Sequence, residues 1–180
     1  MKDIEKIIKK ESQSEILVET IESEAKSYRL AFDAAAKYLK SAKTEYEVKN
    51  KLYEKGFHKN DIDQVIEKMK YYGYIDDLSY AKAYVKRYIK KIGRNKIEYK
   101  LTYEKHVAQN VVSEAFNAVY VRNEEYDVCK NTAIKYAIKR HLKLDMEGKT
   151  KISNHLYMRG YNWSIIGSVM SALKDTDLLE

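Results

Sequence analysis

Three times along the chain the apolar positions fall in the same order. An apolar residue precedes a Leu by four places, a turn follows, an aromatic or Val comes next, and a four-point apolar stripe closes the copy. In the first copy these are Val48, Leu52, Gly56 and Phe57, then Ile62, Val65, Ile66 and Met69. The last copy keeps the register without a gap: Ile152, Leu156, Gly160 and Tyr161, then Ile166, Val169, Met170 and Leu173. The middle copy reads Ile97, Leu101, His106 and Val107, then Val112, Ala115, Phe116 and Val119, and it aligns once a single residue is inserted before the turn. The stripes have the i, i+3, i+4, i+7 spacing of one-sided helices. A period of roughly 50 residues lies at the upper edge of the range that marks helical repeat arrays. Leu52, Leu101 and Leu156 are then equivalent buried positions.

A further helix precedes each copy. Ala35, Tyr38 and Leu39 in the first return as Ala81, Tyr84 and Val85 and again as Ala133, Tyr136 and Ala137. In the first of these helices Phe32, Ala35, Ala36 and Leu39 form the buried stripe. Thr44 with Glu47 three places on is a capping box, and Gly56 and Gly73 stand where helices end. Asp76 and Asp77, ahead of Leu78, are read as helix-capping residues rather than a carboxylate pair. Gly93 is placed at the end of the Tyr84 helix, Gly148 in a connection, and Asn162 as the cap of the last helix. The prediction is an all-α protein. A charged helical lead-in over 1–28, with a new helix starting at the Ser12–Glu15 capping box, precedes three tandem three-helix repeats over 29–76, 77–122 and 123–175. A frayed tail follows over 176–180, and the repeats build an elongated, curved array.

Composition narrows the class. With no Pro and 6 Gly among 180 residues, the chain lacks most of the breakers that strands and tight turns need. One Cys, Cys129, excludes an internal disulfide and fits a reduced, cytoplasmic protein. No apolar run approaches the roughly 18 residues that span a bilayer. The 17 Tyr are read as amphipathic residues at the core edge, and Trp163 as core packing beside Tyr161.

Charge changes the picture more. Lys82, Lys86, Arg87, Lys90, Lys91, Arg94, Lys96 and Lys100 stand against a single acid, Glu98, so this segment carries the whole formal net charge of +7. The bland reading is a solvated helix face. The sharper one is a contact for a polyanion or an acidic protein, with these eight residues as the partner or nucleic-acid binding set.

Catalytic chemistry finds no foothold. His58, His106, His141 and His155 lie in different copies or at turns, without metal-ligand spacing, and there is no phosphate-binding glycine loop. A non-enzymatic protein without cofactor or metal is expected.

The ordered set of Thr44-Glu45-Tyr46-Glu47-Val48, Leu52, Lys55-Gly56-Phe57, Gly73-Tyr74-Ile75-Asp76-Asp77, Tyr80-Ala81, Arg87, Gly93-Arg94, Ile97 and Leu101 resembles the RecX family of bacterial RecA regulators, over roughly residues 34 to 173. The resemblance implies three tandem three-helix repeats. It also implies a protein that binds RecA and its filament on single-stranded DNA and damps recombinase, ATPase and coprotease activity; a monomer with weak direct DNA binding is expected beside it. Two alternatives from other classes stand beside it: a stand-alone nucleic-acid-binding helical module, and a helical-repeat scaffold for an unrelated protein partner.

Overall fold

A computed structural model describes residues 2–119 and 122–174; the frayed-tail expectation for 176–180 lies outside them. Among the described residues every regular element is helical. The chain divides into two compact units, 1–76 and 77–180.

The first unit holds α1 (Lys2–Tyr38), α2 (Glu45–Glu54) and α3 (Lys59–Tyr71). The expected fresh start at Ser12 does not occur. α1 runs on through it, since the first Gly of the chain is Gly56, Pro is absent, and an internal Ser costs a helix little when nothing else breaks it. Its buried stripe is also shifted from the expected one. Ala31 and Ala35 are enclosed while Ala36 is exposed, so the face follows a four-residue step. The Thr44 cap forms as read: Glu47 N–H donates to Thr44 Oγ1 at 3.3 Å, and Thr44 N–H donates to Glu47 Oε2 at 3.1 Å. Ser27 donates to Asp61 Oδ2 at 2.6 Å and ties α1 to α3 over a core of Val48, Leu52, Ile62, Val65, Ile66 and Met69.

The second unit contains two further copies. In one, α4 (Asp77–Tyr88) packs on α6 (Gln109–Val119), and between them α5 (Arg94–Tyr99) passes directly into a π-helical turn, Lys100–Glu104. The other consists of α7 (Arg122–Arg140), α8 (Met146–Met158) and α9 (Trp163–Lys174). Their buried residues form one cluster around Leu101 and Phe116 and another around Leu156 and Tyr161. Leu52, Leu101 and Leu156 are all fully enclosed, as the repeat alignment requires.

The inserted residue of the middle copy has a physical location: it is absorbed by the π turn. In the outer copies the N–H of the residue after the glycine closes the turn onto the Leu carbonyl, Phe57 to Leu52 and Tyr161 to Leu156, both at 3.3 Å. In the middle copy Val107 N–H donates to Leu101 O at 2.9 Å across a loop one residue longer. Widening one helical turn to the π pattern accommodates the extra residue without rotating Leu101 out of the core. The glycine's left-handed conformation is retained as well. Gly56 and Gly160 have φ of 80° and 91°, and His106 takes their place at φ 52°, which His tolerates better than most side chains.

Two glycines play parts other than those expected. Gly148 lies inside α8 rather than in a connection. Its N–H donates to the cap residue Asp145 Oδ1 at 2.8 Å, and a side chain there would collide with the Lys143 carbonyl. Gly93 does not close α4, which ends at Tyr88; it caps the start of α5 and meets the last copy at backbone distance.

Candidate partner-binding surface

The contact at Gly93 positions the charged residues of the second unit. Gly93 N–H donates to Arg159 O at 3.0 Å and Asn95 N–H donates to Gly160 O at 3.1 Å, so the turn after α4 is bonded to the end of α8. A Cβ on Gly93 would overlap the carbonyl of Gly160 and the nitrogen of Tyr161, so only glycine permits this approach. From α7 the fully buried Glu125 reaches the same place, its Oε1 accepting from Arg94 N–H at 2.7 Å at the first turn of α5. The Arg159 guanidinium completes the junction by donating from Nη2 to Lys91 O at 2.9 Å.

Beside this junction opens a cleft of about 590 Å³. Lys90 and Lys91 supply one wall, and Thr132, Lys135, Tyr136, Lys139 and Arg140 of α7 supply another. His155 of α8 and Arg159, the residue that caps its C-terminal end, close it, and no carboxylate lines it. His155 stacks flat on Tyr136, with ring centroids 3.8 Å apart and planes 5° from parallel. Burial, then the positive charges of Arg159 and Arg140, hold the His155 pKa below its ordinary value, so the imidazole is neutral at neutral pH.

The eight predicted residues do not share one environment. Lys90 and Lys91 enter the cleft. Lys86 and Arg87 are exposed and, with Lys90, border a separate depression that also contains Glu124. Arg94 is committed to the fold: its Nε pairs with Glu98 at 2.8 Å, and its guanidinium lies 4.7 Å from the centre of the Phe116 ring. Lys100 pairs with Glu104 at 2.9 Å within the π turn. Lys96 donates to Met158 O at 3.2 Å, and Lys82 is half-buried on α4.

Sequence reasoning missed Lys135, Lys139, Arg140, His155 and Arg159. The stretch 128–144 carries Lys130, Lys135, Lys139, Arg140 and Lys143 with no acid, a second basic run that the attention to 82–100 left aside. The helical spacing of Lys135 with Lys139, of Tyr136 with Arg140 and of His155 with Arg159 was the available signal, since residues four apart share a face.

The aromatic residues divide. Tyr80, Tyr84 and Tyr88 run as a half-buried ladder along α4, with centroids 6.2 and 4.4 Å apart, and fit the core-edge reading. Trp163 does not pack in the core. It is 57% exposed and stacks on exposed Tyr157 at 5.1 Å, because Tyr161 alone fills the apolar site beside it.

Among the described residues no cluster of His, Cys, Asp and Glu could hold a metal, and no helix is long and apolar enough to cross a membrane. Cys129 is enclosed; burial, reinforced by the negative charge of Glu125, pushes its thiol up to about 12. A reactive cysteine needs its thiolate. The native protein should therefore resist a thiol reagent at about pH 8 and react only after denaturant is added. Labelling at the rate of a free thiol would contradict the enclosure.

Comparison with known proteins places these features. A family model described as "RecX, first three-helix domain" matches residues 31–69. The chain is 34% identical over 154 residues to the regulatory protein RecX of Clostridium acetobutylicum, covering 83% of this chain and 72% of that one. It is 37% identical over 142 residues to the same-named protein of Clostridium tetani, covering 77% of this chain and 64% of the relative. A crystal structure of RecX from Lactobacillus salivarius superimposes with a TM-score of 0.77 at 24% identity, over 83% of this chain and 98% of that one.

Proposed function

The chain belongs to the RecX family of regulatory proteins, and we propose that it is a non-enzymatic, cytoplasmic regulator that binds the RecA recombinase and its filament on single-stranded DNA. In binding it damps the recombinase, ATPase and coprotease activities of the filament. The observation that carries this reading is the pairing of family membership with a carboxylate-free cationic cleft on the second unit. A filament of protein on DNA presents regularly spaced negative charge, and a concave surface lined by one sign of charge concentrates such a partner.

The measurement is RecA ATP hydrolysis on single-stranded DNA with this protein titrated in. The rate should fall to well under half its starting value as the protein approaches the filament concentration. An unchanged rate at several-fold excess removes the reading.

A further inference from the structure

We infer that the exposed aromatic stack at the turn between α8 and α9 is a second contact surface of this unit, one that docks against an apolar patch on the protein component of the filament rather than against its DNA. The inference rests on the regulatory reading above for the identity of the partner, and on the last copy of the repeat for the surface itself.

The stack is more than a clip for its turn. Tyr157 stands in the last turn of α8 and Trp163 opens α9, with ring centroids 5.1 Å apart and planes 19° from parallel. Every copy closes this turn with the same kind of backbone hydrogen bond onto the buried Leu and with one residue at positive φ. The residue after the Leu and the first residue of the closing helix can therefore be compared from copy to copy. In the first copy they are Tyr53 and Lys59. In the middle copy they are Thr102 and Gln109, joined by a hydrogen bond from Thr102 Oγ1 to Gln109 Oε1 at 2.9 Å. Polar side chains thus suffice for the turn, and the last copy alone sets two stacked rings there. Both rings are half-exposed or more, and Met158, next along α8, is 71% exposed. These side chains leave apolar surface in water that the fold itself does not use.

The surroundings select protein over nucleic acid. A platform that stacks bases works with cations that track the phosphates beside it. Here the basic side chains of α5 and the π turn are already engaged. Arg94 pairs with Glu98, Lys100 pairs with Glu104, and Lys96 Nζ donates to the carbonyl of Met158 itself at 3.2 Å. Trp, Tyr and Met are the side chains enriched where protein surfaces meet, and a stacked Trp is a common anchor of such contacts.

Size then decides against a second copy of this chain. The three side chains expose on the order of 400 Å², about half of the roughly 800 Å² that each partner of a stable complex commits. Alone the patch would not hold a dimer. It adds to a contact made elsewhere on the same rigid piece. The Gly93–Arg159 and Asn95–Gly160 hydrogen bonds fix the end of α8 to the segment that follows Lys90 and Lys91, so patch and cationic cleft keep a constant spacing. Two modest contacts held at a constant spacing reinforce each other on a partner that offers both an apolar protein surface and negative charge. A filament of protein on DNA is such a partner.

The test uses the full chain. Tyr157→Thr with Trp163→Gln installs the pair that the middle copy already uses, so the helical spectrum and melting should be retained. Affinity for RecA without DNA should fall at least about tenfold. Because no ion pair is removed, the ratio of wild-type to variant affinity should stay constant as salt is raised from about 50 to 300 mM. Affinity for an oligothymidylate should not change. A second readout needs no substitution: the chain has a single Trp, so 5-fluorotryptophan incorporation gives one fluorine resonance, that of Trp163. That resonance should shift when RecA is added and stay in place when oligothymidylate is added.

An unmoved resonance at saturating RecA, a resonance that answers to oligothymidylate instead, or full RecA affinity in the swapped variant would each overturn the surface. RecA ATPase on single-stranded DNA separates this inference from the regulatory reading. If wild type and variant suppress it equally, the surface falls and the reading stands. If the resonance shifts with RecA but wild type never slows the ATPase, the surface stands and the reading falls.

Discussion

Gly93→Ala should destabilise the second unit by about 3 kcal/mol or more and lower its Tm by at least roughly 12 °C. Gly93 has φ −72°, a conformation in which alanine is ordinarily no worse than glycine and stabilises by restricting the unfolded chain. From backbone angles alone, then, the substitution would be neutral or favourable. The opposite sign is expected because the added methyl meets backbone rather than a movable side chain: the Gly160 carbonyl and the Tyr161 nitrogen. Relieving that overlap means stretching the Gly93–Arg159 and Asn95–Gly160 hydrogen bonds together. Gly56→Ala is the matched control. There φ is +80° but nothing lies within 4 Å of the new methyl, so only the left-handed strain of about 1 to 2 kcal/mol applies. Urea titration of the two variants checks the order. If Gly56→Ala proves the more damaging, backbone approach is not what Gly93 provides.

That contrast also shows what could be read from the chain. Gly56 and Gly73 were legible because each follows an apolar helix and needs only a local property, positive φ; Gly160 shares that property, but its close approach to the Lys96 backbone was not legible. Thr44, Glu47 and Asn162 were legible for the same reason, since caps act within one turn; Ile165 N–H donates to Asn162 Oδ1 at 2.9 Å as expected. The repeat register came through because burial follows helical periodicity, and even the inserted residue of the middle copy had a local resolution in the π turn. Gly93 was misread because its partner lies 67 places away, and nothing near it in sequence announces that approach.

The cleft was half legible for the same reason. Lys90 and Lys91 stood in a run of basic residues, but the residues facing them lie some 45 to 70 places further on, in α7 and at the end of α8, and nothing near either set in sequence says that they meet. Arg94 and Lys100 illustrate the converse. They added to the run's charge, yet Glu98 and Glu104 lie one helical turn away and engage them, so net charge overstated the cationic surface there. A charge count by helical face rather than by sequence window would have separated the two groups.

Glu125 is the least predictable member of the junction, and its removal should be nearly as costly as the change at Gly93. A carboxylate on the first turns of a polar helix reads as solvent-facing, which suits the helix dipole without further purpose. Instead it is fully enclosed and accepts from the backbone N–H of Arg94, a donor that α5 itself cannot satisfy because it lies in the helix's first turn. Glu125→Ala removes that acceptor from a part-buried N–H and opens a void beside Cys129, at a cost of about 2 to 4 kcal/mol. Glu125→Gln keeps an acceptor oxygen and nearly the same volume, so its cost should be smaller, about 1 kcal/mol. Amide hydrogen exchange supplies the local readout: Arg94 N–H should be protected in wild type, largely protected in the Gln variant, and fast in the Ala variant. Equal stability of the Ala and Gln variants would show that Glu125 acts through volume alone, and that the hydrogen bond to Arg94 contributes nothing to holding the two copies together.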